Sequence, residues 1–170
     1  MAVITLVLGG ARSGKSAHAQ ALAEANPGEL VFLATAEAID NETAERIARH
    51  RADRGPRWRA VEVPLALGEA VARERGEERT LLVDCLTMWV GNLMHHEVAV
   101  EPAIDALLRA LAIGGGNVIL VSNEVGLGLV PDTPLGRRFR DEAGRLNQRV
   151  ARLAGRAKII VSGLALTLKG

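Results

Sequence analysis

VITLVLGGARSGKS, residues Val3 to Ser16, is the stretch whose reading decides the fold. An apolar run leads into a glycine-rich turn, and the AHAQALAEA pattern that follows is helical. Gly9, Gly14, Lys15 and Ser16 stand at the G-x-x-x-x-G-K-[ST] spacing of a phosphate-binding loop (P-loop). The chemistry requires these residue types. Glycines let the backbone turn tightly and aim successive N–H groups at phosphate oxygens. Lysine brings a cation to the β and γ phosphates, and serine offers a hydroxyl to Mg2+. A helix starting at Lys15 adds its positive dipole end. The competing reading is a glycine turn that binds nothing, but the apolar run before it and the helix after it supply the context the motif needs.

Working outward, 170 residues suit one domain with a real core, here a single P-loop nucleotide-binding domain over residues 1–170. Hydrophobic residues make up 48% and charged residues 24%, an ordinary globular composition. Aromatics are only 2%, so the core must be aliphatic and platforms for stacking bases are nearly absent. With a net charge of +1 there is no global attraction to nucleic acid or an anionic membrane. The lone Cys85 excludes an intrachain disulfide and suits a reducing compartment. No apolar run reaches the roughly 18 residues of a membrane span, and no leader-like segment precedes the first strand. The expectation is a cytoplasmic protein with no nucleic-acid partner and no membrane.

Strand and helix signals alternate along the rest of the chain. After the helix from Lys15 to about Ala25, Asn26-Pro27-Gly28 is a stop. Strands are expected at Leu30–Ala34, Trp58–Pro64 (at a sheet edge), Thr80–Asp84, Asn117–Ser122 and Ala157–Ser162. Helices are expected at Asn41–Arg54, Leu65–Arg75, Leu86–His95, Pro102–Ala112 and Leu135–Leu153. NEVGLGLVPDTPLG, from Asn123, is too rich in glycine and proline for a regular element and reads as a functional loop. LALTLK at the end can pair back as a hairpin. The fold class is therefore α/β, a mostly parallel sheet with helices on both faces and a C-terminal hairpin.

Ligands of such sheets bind at the carboxyl ends of the strands. Polar residues recur there: Gly9–Ser16, Thr35, Asp84, Asn123 with Glu124, and Ser162. Asp84 closes an apolar strand, where phosphate-loop proteins place a carboxylate for Mg2+; its other reading is a helix N-cap. His50 lies one turn from Arg46 and Arg54, with Arg49 and Arg51 beside it. Crowding cations disfavour a charged imidazole, which leaves a neutral ring able to attack phosphorus and form a covalent nucleotidyl intermediate. The alternative is a surface histidine on a basic helix. His18, His95 and His96 have no comparable setting and read as surface or helix-end residues. Glu62 is one of the few acids near the basic helix, and the arginines of the last long helix read as a solvated face.

GGARSGKS at Gly9–Ser16, RIARHRADR at Arg46–Arg54, NEVGLGLVP at Asn123–Pro131 and FRDEAGRLNQRVA at Phe139–Ala151 together resemble the bifunctional adenosylcobinamide kinase and adenosylcobinamide-phosphate guanylyltransferase family of cobalamin biosynthesis. The resemblance runs through essentially the whole chain. It implies a P-loop NTPase fold of the RecA-like kind, assembled as a homotrimer. It implies phosphorylation of adenosylcobinamide with ATP or GTP, then transfer of GMP from GTP to that phosphate, releasing pyrophosphate. The family histidine that carries GMP matches His50, with Lys15 as the other catalytic residue. The family's nucleotide contacts match Gly9, Gly10, Ala11, Arg12, Ser13, Gly14, Lys15 and Ser16 in the loop. They also match Ala34, Thr35, Ala36, Arg51, Ala52, Asp53, Arg54, Glu62 and Asp84, and Ser16 and Asp84 would hold Mg2+. Asn123–Pro131 would lie near the corrinoid. Arg49 stands where some relatives carry a second histidine, and no general base for the kinase step is obvious. Two rivals remain at this point: a P-loop kinase without guanylyltransferase activity, and a RecA-like ATPase.

Overall fold

The structure, a computed structural model, describes residues 3–37 and 55–170. The expected helix at Asn41–Arg54 lies outside the described residues. The strands are β1 (Ile4–Gly9), β2 (Glu29–Ala34), β3 (Trp58–Glu62), β4 (Arg79–Asp84), β5 (Asn117–Asn123), β6 (Arg156–Val161) and β7 (Leu164–Lys169). The helices among the described residues are α1 (Lys15–Glu24), α2 (Leu67–Glu74), α3 (Leu86–His95), α4 (Val100–Ala112) and α5 (Pro134–Leu153). Helix α4 starts ahead of Pro102 because a proline in the first turn gives up an N–H that has no intrahelical partner anyway. For the same reason Pro134 opens α5, where the Thr133 hydroxyl accepts the Gly136 N–H at 3.1 Å as an N-cap.

The strands among the described residues join one seven-stranded sheet in the order β3-β2-β4-β5-β1-β6-β7. Every pairing is parallel except β6 with β7. β3 is an edge strand, as its alternating sequence and Pro64 suggest. β5 is inserted between β1 and β4, so the loop strand and the Asp84 strand are not neighbours, the arrangement of a RecA-like sheet. The β6–β7 hairpin turns at Ser162 and Gly163, with φ of 51° and 79°. Two positive φ values at a two-residue connection make the type I′ turn that matches strand twist.

Alternation along the buried strands divides the core between the two faces. Leu6, Leu33, Leu81, Val83 and Leu120 pack with Val71, Trp89, Leu93, Ile104, Leu107, Leu146 and Val150 from α2, α3, α4 and α5. Val7, Leu30, Phe32, Leu82, Ile119 and Val121 face the other way, against Ala19 and Ala23 of α1. The small α1 residues let that helix lie close to the sheet. The Trp89 indole N–H donates to Leu65 O at 2.7 Å, which satisfies the polar end of the largest fully buried side chain. No helix among the described residues is long and apolar enough to cross a membrane.

The amino ends of the strands carry a charged lattice. Arg59 bonds Glu29 at 2.8 Å and Glu74 at 2.6 Å, while Arg79 bonds Glu29 at 2.8 Å. The Arg59 hydrogen bond holds the Glu74 carboxyl below the usual carboxylate range. At the same end the Arg75 guanidinium donates to Ala110 O, Leu111 O, Ile113 O and Gly115 O at 2.6–3.2 Å, which covers carbonyls left open where α4 stops.

Candidate active site

The loop after β1 is shaped by what its glycines exclude. A Cβ on Gly9 would lie 2.4 Å from Ser13 Oγ and 2.9 Å from Ile160 O. Gly14 has φ of 92°, a left-handed conformation that L side chains rarely adopt, and it leads into α1 with no side-chain cap. The first N–H groups of α1 therefore face outward without a capping oxygen, as an anion site requires. Lys15 Nζ donates to Gly10 O at 3.0 Å, so its ammonium folds back over the loop. From below, Gly163 N–H donates to Ser13 O at 2.9 Å, and the β6–β7 turn thereby supports the cradle. The Ser13 hydroxyl is buried without a hydrogen-bond partner among the described residues. An unpaired buried hydroxyl costs about 1–3 kcal/mol.

Strand registers set the other expected residues along the same sheet edge. Glu62 of β3 is in register with Ala34 of β2, and Ala34 with Asp84 of β4. Asp84 is in register with Val121 of β5, and Asn123 with Gly9. β4 and β1 are separated by β5, which puts the Asp84 strand about 10 Å from the cradle strand at ordinary strand spacing. The Ser16 hydroxyl and the Asp84 carboxylate are hard oxygen donors of the type Mg2+ takes. No group of three or more His, Cys, Asp or Glu side chains among the described residues forms a self-sufficient metal cage. The Asp84–Cys85 peptide is cis. Cys85 caps α3, its Sγ accepting the Met88 N–H at 3.4 Å, and burial pushes its thiol up to about 11.

Thr35 is fully buried and its hydroxyl is committed: it donates to Cys85 O at 2.8 Å and accepts the Cys85 N–H at 2.7 Å. Asn92 Nδ2 donates to Thr35 O at 2.7 Å. The side chain of Thr35 therefore ties β2 to the start of α3. Glu62 is exposed at the end of the edge strand. His50, Arg51, Ala52, Asp53 and Arg54 lie outside the described residues.

His95 and His96 are exposed at the end of α3 as expected, and His96 Nε2 lies 3.0 Å from Glu37. His18 departs from its reading as a surface residue. It is half-buried on α1, with Nε2 enclosed and unpartnered among the described residues; burial, then the Lys158 charge, lowers its pKa. Asn147 is a further polar residue that no chemical motif marks. It sits on the buried stripe Ala143, Leu146, Asn147, Val150 of α5 and reaches the end of β5. A carboxamide on a helical apolar stripe was the available signal.

Known proteins give the same reading of the chain. The sequence profile of the family described as cobinamide kinase / cobinamide phosphate guanyltransferase matches residues 5–168. The bifunctional adenosylcobalamin biosynthesis protein CobP of Pseudomonas aeruginosa is 47% identical over 167 residues, 97% of this chain and 96% of that protein. The bifunctional adenosylcobalamin biosynthesis protein CobU of Escherichia coli K12 is 37% identical over 182 residues, 98% of this chain and 100% of that protein. A solved protein of Pyrococcus horikoshii OT3 superposes with a TM-score of 0.56 at 8% identity, over 100% of this chain and 88% of that one, a likeness of fold alone. A match of this length and identity, on a sheet whose first loop is a nucleotide cradle, leaves one conclusion: the chain belongs to the bifunctional cobinamide kinase / cobinamide phosphate guanyltransferase family.

Proposed function

We propose that this protein phosphorylates adenosylcobinamide with ATP or GTP and then transfers GMP from GTP to the new phosphate, giving adenosylcobinamide-GDP and pyrophosphate. The observation that carries the reading is the uncapped, glycine-shaped start of α1 with Lys15 folded over it, on the same sheet edge as Asp84. The loop residues Gly9 to Ser16 bind the phosphates through backbone N–H groups, and the Lys15 ammonium moves from Gly10 O onto phosphate oxygens. Ser16 and Asp84 hold Mg2+, which when bound neutralises charge developing on the phosphates. Ala34 to Ala36, Glu62 and Arg51 to Arg54 contact the guanine nucleotide. His50 attacks the α-phosphorus of GTP: a bond forms from its ring nitrogen to phosphorus, the bond to the bridging oxygen breaks, and pyrophosphate leaves with the electron pair. The corrinoid phosphate then displaces the imidazole. The working unit is one domain over residues 1–170, assembled as a homotrimer in the cytoplasm.

The test is labelling with GTP carrying radioactive α-phosphate. The wild type is expected to form an acid-labile, alkali-stable protein adduct, and His50→Ala is expected to form none while still phosphorylating cobinamide. Equal labelling of His50→Ala would remove that residue from the mechanism.

A further inference from the structure

The carboxyl end of β5 is held by more than its strand ladders. Asn123, its last residue, is in register with Gly9 at the mouth of the cradle, and the next N–H, that of Glu124, donates to Gly9 O at 3.1 Å. On the other side β5 pairs with β4, where Asp84 faces Val121. Asn123 therefore stands between the phosphate loop and the carboxylate strand.

Its peptide groups are fixed by a closed ring of hydrogen bonds whose directions follow from donor chemistry. The Ser122 hydroxyl is 2.6 Å from Asn147 Oδ1 and donates to it, since a carboxamide oxygen only accepts. The Thr87 hydroxyl, 3.1 Å from Ser122 Oγ, then donates to Ser122 and accepts the Asn123 N–H at 2.7 Å. Asn147 Nδ2 donates to Asn123 O at 3.2 Å, which closes the ring. Thr87, Ser122 and Asn147 are buried on α3, β5 and α5. Burying three polar side chains is costly unless each is satisfied, and here every bond of the ring serves to place Asn123. A strand-terminal peptide at a water-filled edge needs no such support. The ring fixes the backbone of Asn123, and its half-buried carboxamide is held separately beside Asp84, where Nδ2 donates one hydrogen to Cys85 Sγ at 3.8 Å and carries a second.

We propose that Asn123 is a catalytic residue of the kinase step, its Nδ2 donating to an oxygen of the phosphoryl group in transfer, with Thr87, Ser122 and Asn147 as positioning residues. The proposal rests on the nucleotide reading of the Gly9–Ser16 loop. In that step the bond from the γ-phosphorus to the bridging oxygen breaks and the nucleoside diphosphate leaves with the electron pair. The acceptor hydroxyl oxygen forms the new bond to phosphorus, and its proton passes to water. Charge rides on the equatorial oxygens throughout. Lys15 meets them from the loop, and Asn123 meets them from the strand between loop and carboxylate. A neutral donor suits that place, because a second carboxylate beside Asp84 would repel the phosphate.

The two half-reactions supply the test, since guanylyl transfer moves the α-phosphorus and leaves the γ-phosphoryl intact. Asn123→Ala and the isosteric Asn123→Asp are assayed for cobinamide phosphorylation and, separately, for guanylyl transfer to preformed cobinamide phosphate. Kinase kcat is expected to fall about 100-fold, the usual loss of one transition-state donor, with KM for nucleotide and cobinamide within about threefold. The ratio of kinase to guanylyltransferase kcat falls at least about tenfold. Asn147→Asp, which keeps the acceptor for Ser122 and removes the donor to Asn123 O, lowers kinase kcat about tenfold with the same unchanged KM. Equal loss of both half-reactions, or a kinase kcat within about threefold of wild type, overturns the proposal. Lys15→Ala is run alongside with a non-hydrolysable GTP analogue: unchanged affinity would overturn the loop reading itself and the proposal with it, whereas lost affinity with unimpaired Asn123 variants would overturn the Asn123 role alone.

Discussion

Replacing Gly9 with alanine probes the cradle at its tightest point. The added Cβ would stand 2.4 Å from Ser13 Oγ, 3.2 Å from Ser13 Cβ and 2.9 Å from Ile160 O, where ordinary contact begins near 3.4 Å. Ser13 must give way by about 1 Å, and its hydroxyl has no slack because the atom is already enclosed. Ile160 O is main chain of β6, the strand paired with β1 at this point, so it resists movement. The strain emerges as a displaced loop, at a cost of about 1–3 kcal/mol in stability, typical of overpacking. A shift of that size in groups that orient phosphate lowers kcat/KM about 100-fold. Urea denaturation and both half-reaction rates measure the two effects. Adding Ser13→Gly removes two of the three close contacts and is expected to restore part of the stability. A Gly9→Ala protein with wild-type denaturation and rates would refute the packing account of the loop.

Two further outcomes follow from groups away from the cradle. Arg75→Met leaves the carbonyls at the end of α4 without their donor and is expected to lower stability by about 2 kcal/mol in urea denaturation, with kcat unchanged because the site lies at the opposite sheet edge; an unshifted midpoint would show that water replaces the guanidinium. His18 titrates below its ordinary 6.5 in the folded protein. The unfolded chain therefore binds the proton first, so stability is complete above 6.5 and is lost as pH falls from there toward the depressed folded value. His18→Gln is expected to flatten that acid slope in urea midpoints measured from pH 7.5 down to about 5, and an unchanged slope would acquit His18.

The fold was legible because its signals are local and agree with one another. The G-x-x-x-x-G-K-S spacing, the buried runs LVFLA and TLLVD, and Gly-Pro or Gly-Gly punctuation each mark an element edge, and the strand–helix alternation selects a parallel sheet. The nucleotide cradle was legible for the same reason. Tertiary partners were not. Nothing local distinguishes the Thr35 hydroxyl locked onto Cys85 from one offered to a ligand, or the enclosed His18 ring from a solvated one. Asn147 acts across 24 residues of chain on Asn123, beyond any periodicity window. The four-residue polar ring is written in three separate elements, and only the packed sheet assembles it.

The charged lattice of Glu29, Arg59, Glu74 and Arg79 and the Arg75 cap all lie at the strand ends remote from the cradle. The sheet is thus riveted by ion pairs along one border, whereas the opposite border is tied by the neutral hydrogen bonds of Thr35, Thr87, Ser122 and Asn147. Salt, which screens exposed ion pairs and barely touches buried neutral hydrogen bonds, therefore loosens the first border before the second.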